Sequence, residues 1–154
     1  MKIAIGNDHR GVQLKRSLVA KFKGVTFIDV GSDSKERVDY PDFAKAVSEK
    51  VISRACERGI LICSTGIGMS IAANKFRGIR AAMVWNPVVA EMTRLHNDSN
   101  ILCLSGDYVE EETAFKILEV WLKTPFEGGR HQLRVDKINE IEAAEGSRLL
   151  KKKK

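Results

Sequence analysis

The chain has 154 residues, 44% of them hydrophobic and 30% charged, which suits one folded domain and excludes a disordered or collagen-like polymer. No apolar run approaches the roughly 18–20 residues of a membrane span, and nothing resembles a signal peptide, so a cytoplasmic chain without membrane contact is expected. The net charge of +6 is concentrated at one end: the last seven residues carry five positive charges and no negative one, leaving the body near neutral. The tail, 147–154, reads as a disordered end, and since nucleic-acid binding would rest on it alone, no such partner is expected.

Short apolar runs alternate with amphipathic stretches along the whole chain. A first strand is predicted at 2–5 and a helix at 11–22. Between them lies Gly6-Asn7-Asp8-His9-Arg10-Gly11. The glycine spacing mimics a P-loop, but Val12 and Gln13 stand where lysine and serine or threonine are required. What remains is an acid and an imidazole, Asp8 and His9, side by side at a strand end and suited to face a ligand. The structural alternative for Asp8 is a helix cap. A second strand is predicted at 25–30. The helix at 41–56 opens on Pro41 after Tyr40, a favourable residue for the first helical turn.

The third strand, 59–63, leads into Cys63-Ser64-Thr65-Gly66-Ile67-Gly68-Met69-Ser70 and a helix at 67–76. Gly66 and Gly68 let the backbone turn tightly and approach a ligand. The amides of such a turn point to the strand end, where anions and developing oxyanions are stabilised. A cysteine beside them suits a base or a nucleophile; the structural alternative is a buried core cysteine. Dinucleotide binding is disfavoured, because Ile71 takes the third glycine position and the motif is not on the first strand.

A fourth strand is predicted at 79–85, a helix at 87–95 opened by Pro87, a fifth strand at 100–104 and a helix at 109–122. Ahead of the fifth strand, Arg94-Leu95-His96-Asn97-Asp98 packs acid, amide and imidazole groups together. Imidazole is the side chain that exchanges protons near neutral pH, so His96 is a candidate for acid–base work. A last helix is predicted over 131–145. Arg130 and Arg134 stand four residues apart, on one helical face, and two guanidinium forks there suit a phosphate or carboxylate. Cys56, Cys63 and Cys103 form no CxxC pair, and the three histidines have no ligand spacing, so no metal is expected.

Strand followed by helix, five times over, predicts an α/β fold: a Rossmann-like α/β/α sandwich, a five-stranded parallel sheet with helices on both faces, in one domain over 1–146. Ligands of such folds bind at the C-terminal edge of the strands.

Asp8-His9, Asp39-Tyr40-Pro41, Cys63 to Lys75, Gly78-Ile79-Arg80-Ala81, His96-Asn97-Asp98 and Gly128-Gly129-Arg130-His131 with Arg134 occur here in one order. In that order the chain resembles the ribose-5-phosphate isomerase B family, which includes allose-6-phosphate isomerase and the galactose-6-phosphate isomerase subunits. The resemblance spans Lys2 to about Glu142. It implies an aldose–ketose isomerase that interconverts ribose-5-phosphate and ribulose-5-phosphate without metal or cofactor. It implies a catalytic set of Cys63, Thr65 and His96, in which Cys63 moves a proton between C2 and C1 through a cis-enediolate and His96 helps open the sugar ring. By the same resemblance, Ser64, Gly66, Ile67 and Gly68 hold the enediolate oxygens. Asp8, His9, Tyr40 and Asn97 contact sugar or phosphate, and Arg130 and Arg134 grip the phosphate. The assembly implied is a homodimer or a dimer of dimers with the site at the subunit interface, and the His96 that meets Cys63 is expected from the partner.

Two residues depart from the family pattern. Ser64 replaces a common glycine, and Asp107 stands where many members carry a phosphate-binding arginine. At about 6 Å and an effective dielectric near 20, one unit-charge pair is worth roughly 2.8 kcal/mol, so a free Asp107 would repel a phosphate. Asp107 therefore points away, or another cation compensates, or the substrate is another aldose: a six-carbon phosphate or an unphosphorylated sugar. A non-catalytic sugar-phosphate-binding protein is the remaining alternative.

Overall fold

A computed structural model describes the backbone of residues 1–151 and the side chains of residues 1–146. The elements run β1 (Lys2–Asn7), α1 (Val12–Lys21), β2 (Thr26–Asp29), α2 (Tyr40–Ile52), β3 (Arg58–Cys63) and α3 (Ile67–Ala73). They continue with β4 (Ala81–Met83), α4 (Pro87–Asn97), β5 (Ile101–Ser105), α5 (Glu111–Lys123) and α6 (Arg130–Lys151). The five strands form one parallel sheet in the order β2-β1-β3-β5-β4. This is the predicted Rossmann-like sandwich.

Period-2 alternation explains why both faces are covered. Ile3, Ile5, Ile60, Ile62, Leu102 and Leu104 point to one face and pack with Leu14 and Leu18 of α1, Ala90 of α4 and Ile117 and Trp121 of α5. Ala4, Leu61, Cys63, Ile101 and Cys103 point to the other, against Val47 and Val51 of α2 and Met69 and Ala73 of α3. Helix α6 packs on α4.

Several boundaries differ from the sequence expectation, each for a local reason. Helix α2 stops at Ile52 because Arg54 takes a left-handed φ of 59°, which no helix continues through. Strand β4 is three residues long because only Ala81 to Met83 pair with β5. Helix α4 starts as expected: Pro87 follows Asn86, whose side chain accepts from the Val89 N–H at 2.9 Å. Of the tail expected to be disordered over 147–154, the backbone continues α6 as helix to Lys151, and 152–154 lie outside the described residues.

Strand order reverses between β1 and β3, since β2 lies on one side of β1 and the later strands on the other. A crevice at the C-terminal ends of β1 and β3 follows from that reversal. The loops that open there carry Asp8-His9-Arg10 and Cys63 to Gly68.

Candidate active site

Cys63 is the last residue of β3 and is buried. Its Sγ accepts the Gly66 N–H at 3.2 Å, so sulfur and turn are tied together. Gly66 reaches that position with φ +78°, and a Cβ there would stand 3.0 Å from the Leu104 carbonyl carbon, so only glycine fits without strain. Thr65 Oγ1 accepts the Ile67 N–H at 3.2 Å and rigidifies the start of α3. Among the described residues, the Gly68 and Met69 N–H groups have no acceptor and stay available at the strand end. A Cβ on Gly68 would stand 2.8 Å from the Tyr40 ring, which places Tyr40 directly over this loop.

The β1 loop faces it. Asn7, at the end of β1, donates through Nδ2 to the Asp8 carbonyl at 2.7 Å and the Ser32 carbonyl at 2.9 Å. Asp8 is buried, and its Oδ1 accepts the Arg10 N–H at 2.8 Å. His9 Nδ1 accepts the Val38 N–H at 3.4 Å. Asp8 thus shapes its own loop, as an Asx turn does. Asp8, His9, Tyr40, Cys63, Ser64, Thr65, Gly66, Ile67 and Gly68 therefore all line the C-terminal edge of the sheet.

The other predicted residues lie at the opposite edge. Asn97 ends α4, and its carbonyl accepts from Arg80 Nε at 3.1 Å, just before β4 begins. On β5, Ile101 is level with Ala81 at the start of β4 and Ser105 is level with Cys63. The four steps from Ile101 to Ser105 span about 13 Å at a rise of about 3.3 Å each. His96 and Cys63 of one chain therefore do not share a site.

His96 instead stacks on His131, with ring centroids 4.1 Å apart and an interplanar angle of 10°. Glu127 Oε2 lies 4.0 Å from His96 Nε2 and 3.7 Å from His131 Nε2. Arg130 Nε donates to His131 Nε2 at 3.3 Å, and Arg134 Nη1 meets His131 Nδ1 at 3.2 Å. The two arginines do share a face, and His131 is what they converge on. His96, Glu127 and His131 offer ligand atoms within 4.8 Å of one another, a cluster the chain spacing does not announce. Two guanidinium groups beside it disfavour a cation there and favour an anion.

Burial and the neighbouring His96 hold His131 below its ordinary value of 6.5, with Arg130 and Arg134 acting in the same direction and Glu127 against it. The folded protein then refuses a proton that the unfolded chain accepts. Stability is full above 6.5, falls as pH drops through that value towards the folded-state pKa, and levels off below it. The expected result is a lower urea midpoint at about pH 5.5 than at about pH 7.5, with a smaller difference in His131→Asn.

A cavity of about 870 Å³ lies apart from the Cys63 loop, between β4, α4 and α6, lined among others by Arg77, Arg80, Asn97, Ile138 and Glu142. It takes in Asn97 and none of the residues around the thiol.

The glycine turn behind a strand-end cysteine, together with the facing Asp8-His9 loop, matches a known family across the chain. The sequence model described as Ribose/Galactose Isomerase matches residues 3–138. The chain belongs to this family. Ribose-5-phosphate isomerase B of Escherichia coli (strain K12) is 48% identical over 143 residues, 92% of this chain and 96% of that protein. The structure of Clostridium thermocellum ribose-5-phosphate isomerase B superposes with a TM-score of 0.91 at 52% identity, covering 94% of this chain and 99% of that one. The Mycoplasma genitalium enzyme with bound ribulose-5-phosphate superposes with a TM-score of 0.87 at 42% identity, covering 92% and 96%. The ribose/galactose isomerases are aldose–ketose isomerases, and this chain is one of them by descent and by fold.

Within this isomerase, sequence reasoning missed four residues that build the site. Asn7 orients the Asp8 loop. Ser105 Oγ donates to the Ser64 carbonyl at 2.6 Å and so locks the turn after the cysteine. Glu127 and His131 surround His96. A polar residue ending an apolar strand was the available signal for Asn7 and Ser105, and the Gly128-to-His131 motif was the signal for His131; Glu127 carried none, because its partner His96 is more than thirty residues away. The cation that compensates Asp107 is Arg10, which forms a two-pronged ion pair with it.

Among the described residues no helix is long and apolar enough to cross a membrane. Cys56 and Cys103 are buried and free, and burial pushes both thiols up, with the Cys63 charge adding to the effect at Cys103. They are inert core residues.

Proposed function

We propose that this isomerase interconverts ribose-5-phosphate and ribulose-5-phosphate, with Cys63 as the base. The observation that carries the reading is the Cys63 sulfur at the end of β3, tied to the Gly66 N–H beside unpaired amides. An α-hydroxy carbonyl needs a base at its carbon acid and donors for the enediolate oxygen that forms. Cys63 takes the proton from C2 and returns it to C1, while amides of the turn over Ser64 to Gly68 hold the enediolate oxygens, with Thr65 keeping that turn in shape. Asp8, His9 and Tyr40 line the sugar.

Ring opening needs a second acid–base group, and His96 is suited to it, with Asn97 beside it and Arg130 and Arg134 for the phosphate. Those four sit at the wrong edge of their own sheet, so a second copy of the chain supplies them. Exposed apolar side chains support such a contact: Ile67, Ile71, Trp85 and Val88 surround the Cys63 end, and Leu133 and Ile141 stand on α6. The working unit is then a homodimer or a dimer of dimers. Three free cysteines suit a reducing compartment, and we place the enzyme in the cytoplasm.

The test is formation of ribulose-5-phosphate from ribose-5-phosphate by the purified chain. Turnover is expected with no metal added. A folded protein that leaves ribose-5-phosphate untouched and turns over a six-carbon aldose phosphate would reassign the substrate.

A further inference from the structure

The loops after β1 and β5 meet across the mouth of the crevice. Arg10 donates through Nε to Asp107 Oδ2 at 3.0 Å and through Nη2 to Oδ1 at 2.9 Å. Both ends of this pair are held from behind. The Arg10 N–H donates to Asp8 Oδ1 at 2.8 Å. A Cβ on Gly106 would stand 2.7 Å from the Arg10 carbonyl oxygen, so the two loops touch backbone to backbone. The Asp107 N–H donates to the Ser64 carbonyl at 3.2 Å and to Ser105 Oγ at 3.3 Å. The pair therefore bridges the residue after His9 and the residue after Cys63.

Its orientation is asymmetric. The Arg10 side chain is 55% exposed and that of Asp107 only 22%. The carboxylate lies inward and the guanidinium is presented outward. A guanidinium has five N–H donors, and the two that face Asp107 leave the others open to a ligand. An ion pair this exposed contributes little to folding. A rigidly aimed cation beside an acid–imidazole loop is instead the arrangement that recognises an anion.

We propose that Arg10 is a specificity-determining residue that meets the substrate phosphate, and that Asp107 aims its guanidinium and weakens its pull. This rests on the reading of the site as one for a sugar phosphate. The two residues then act with opposite sign. Removing Arg10 removes the attraction. Neutralising Asp107 leaves the guanidinium in place, with an amide oxygen still to bond, and frees its charge for the ligand.

The experiment is titration calorimetry at fixed ionic strength, with ribose-5-phosphate, inorganic phosphate and unphosphorylated ribose as probes. Arg10→Ala is expected to weaken both phosphates by about tenfold, equivalent to about 1.4 kcal/mol. Asp107→Asn is expected to tighten both severalfold. The exchange Arg10→Asp with Asp107→Arg is expected to restore binding to near the wild-type value, because it again presents one cation at the mouth. Ribose binding should not change, and thermal midpoints should agree across the set. Parallel weakening by Arg10→Ala and Asp107→Asn would mean that the pair only holds the loops, and would overturn the proposal. So would wild-type phosphate binding that Arg10→Ala leaves untouched. Wild-type protein that binds neither phosphate would refute the sugar-phosphate reading itself, and the proposal with it.

Discussion

Replacing Cys63 by alanine is expected to lower isomerase turnover by about a thousandfold, within the roughly 10²–10⁴ that a positioned general base contributes. The sulfur is the acceptor that the Gly66 N–H meets, 3.2 Å away at the end of β3. Alanine removes that acceptor and the base together, while the small change in volume leaves the surrounding core of Leu61, Met69 and Cys103 close to its packing. Serine keeps the volume but offers a hydroxyl that is a far weaker base, so Cys63→Ser should fall nearly as far. Two measurements separate chemistry from folding. One is turnover alongside a thermal melt; the other is exchange of the C2 proton with heavy water, which both variants should lose. A Cys63→Ala protein that keeps a tenth of wild-type turnover would remove the thiol from the mechanism.

Mixing inactive Cys63→Ala with inactive His96→Ala protein is expected to restore activity once subunits exchange. The reason is topological. His96 lies at the end of α4, beside the start of β4, whereas Cys63 ends β3, and the sheet separates them. If each site takes its thiol from one chain and its imidazole from the other, a mixed dimer holds one doubly damaged site and one intact site. With random exchange about half the dimers are mixed, and turnover should reach about a quarter of the wild-type value. The check is a rise of activity on mixing at equal amounts, with the time course of subunit exchange. Two chains that exchange, as seen by mass spectrometry of differently tagged subunits, and gain no activity would mean that His96 works elsewhere.

The parts of this enzyme readable from its sequence are those built from neighbouring residues. Apolar runs such as Gly59 to Cys63 are buried on both faces and so show as strands. Pro41 and Pro87 mark helix starts because proline suits the first turn. The Cys63-to-Gly68 turn is one continuous stretch, so thiol, amides and glycine conformations could all be read together. Helix ends were harder. The stop of α2 at Ile52 depends on one left-handed residue, Arg54, whose type does not call for that conformation.

Contacts between distant residues were not legible. Arg10 and Asp107 are 97 positions apart, and Asp107 looked like an unmet repulsion until the β1 and β5 loops were brought face to face. The stacking of His96 on His131 is of the same kind. The sequence by itself determined the parallel α/β fold, the glycine turn after Cys63 and the family. Local periodicity and short-range turn chemistry specify these, and neither depends on the path of the rest of the chain. Only the tertiary structure decided which loops share an edge of the sheet. It separated His96, Asn97, Arg130 and Arg134 from Cys63, and it gave Asp107 its cation. Strand order and the docking of distant loops set those distances, and no local pattern encodes either.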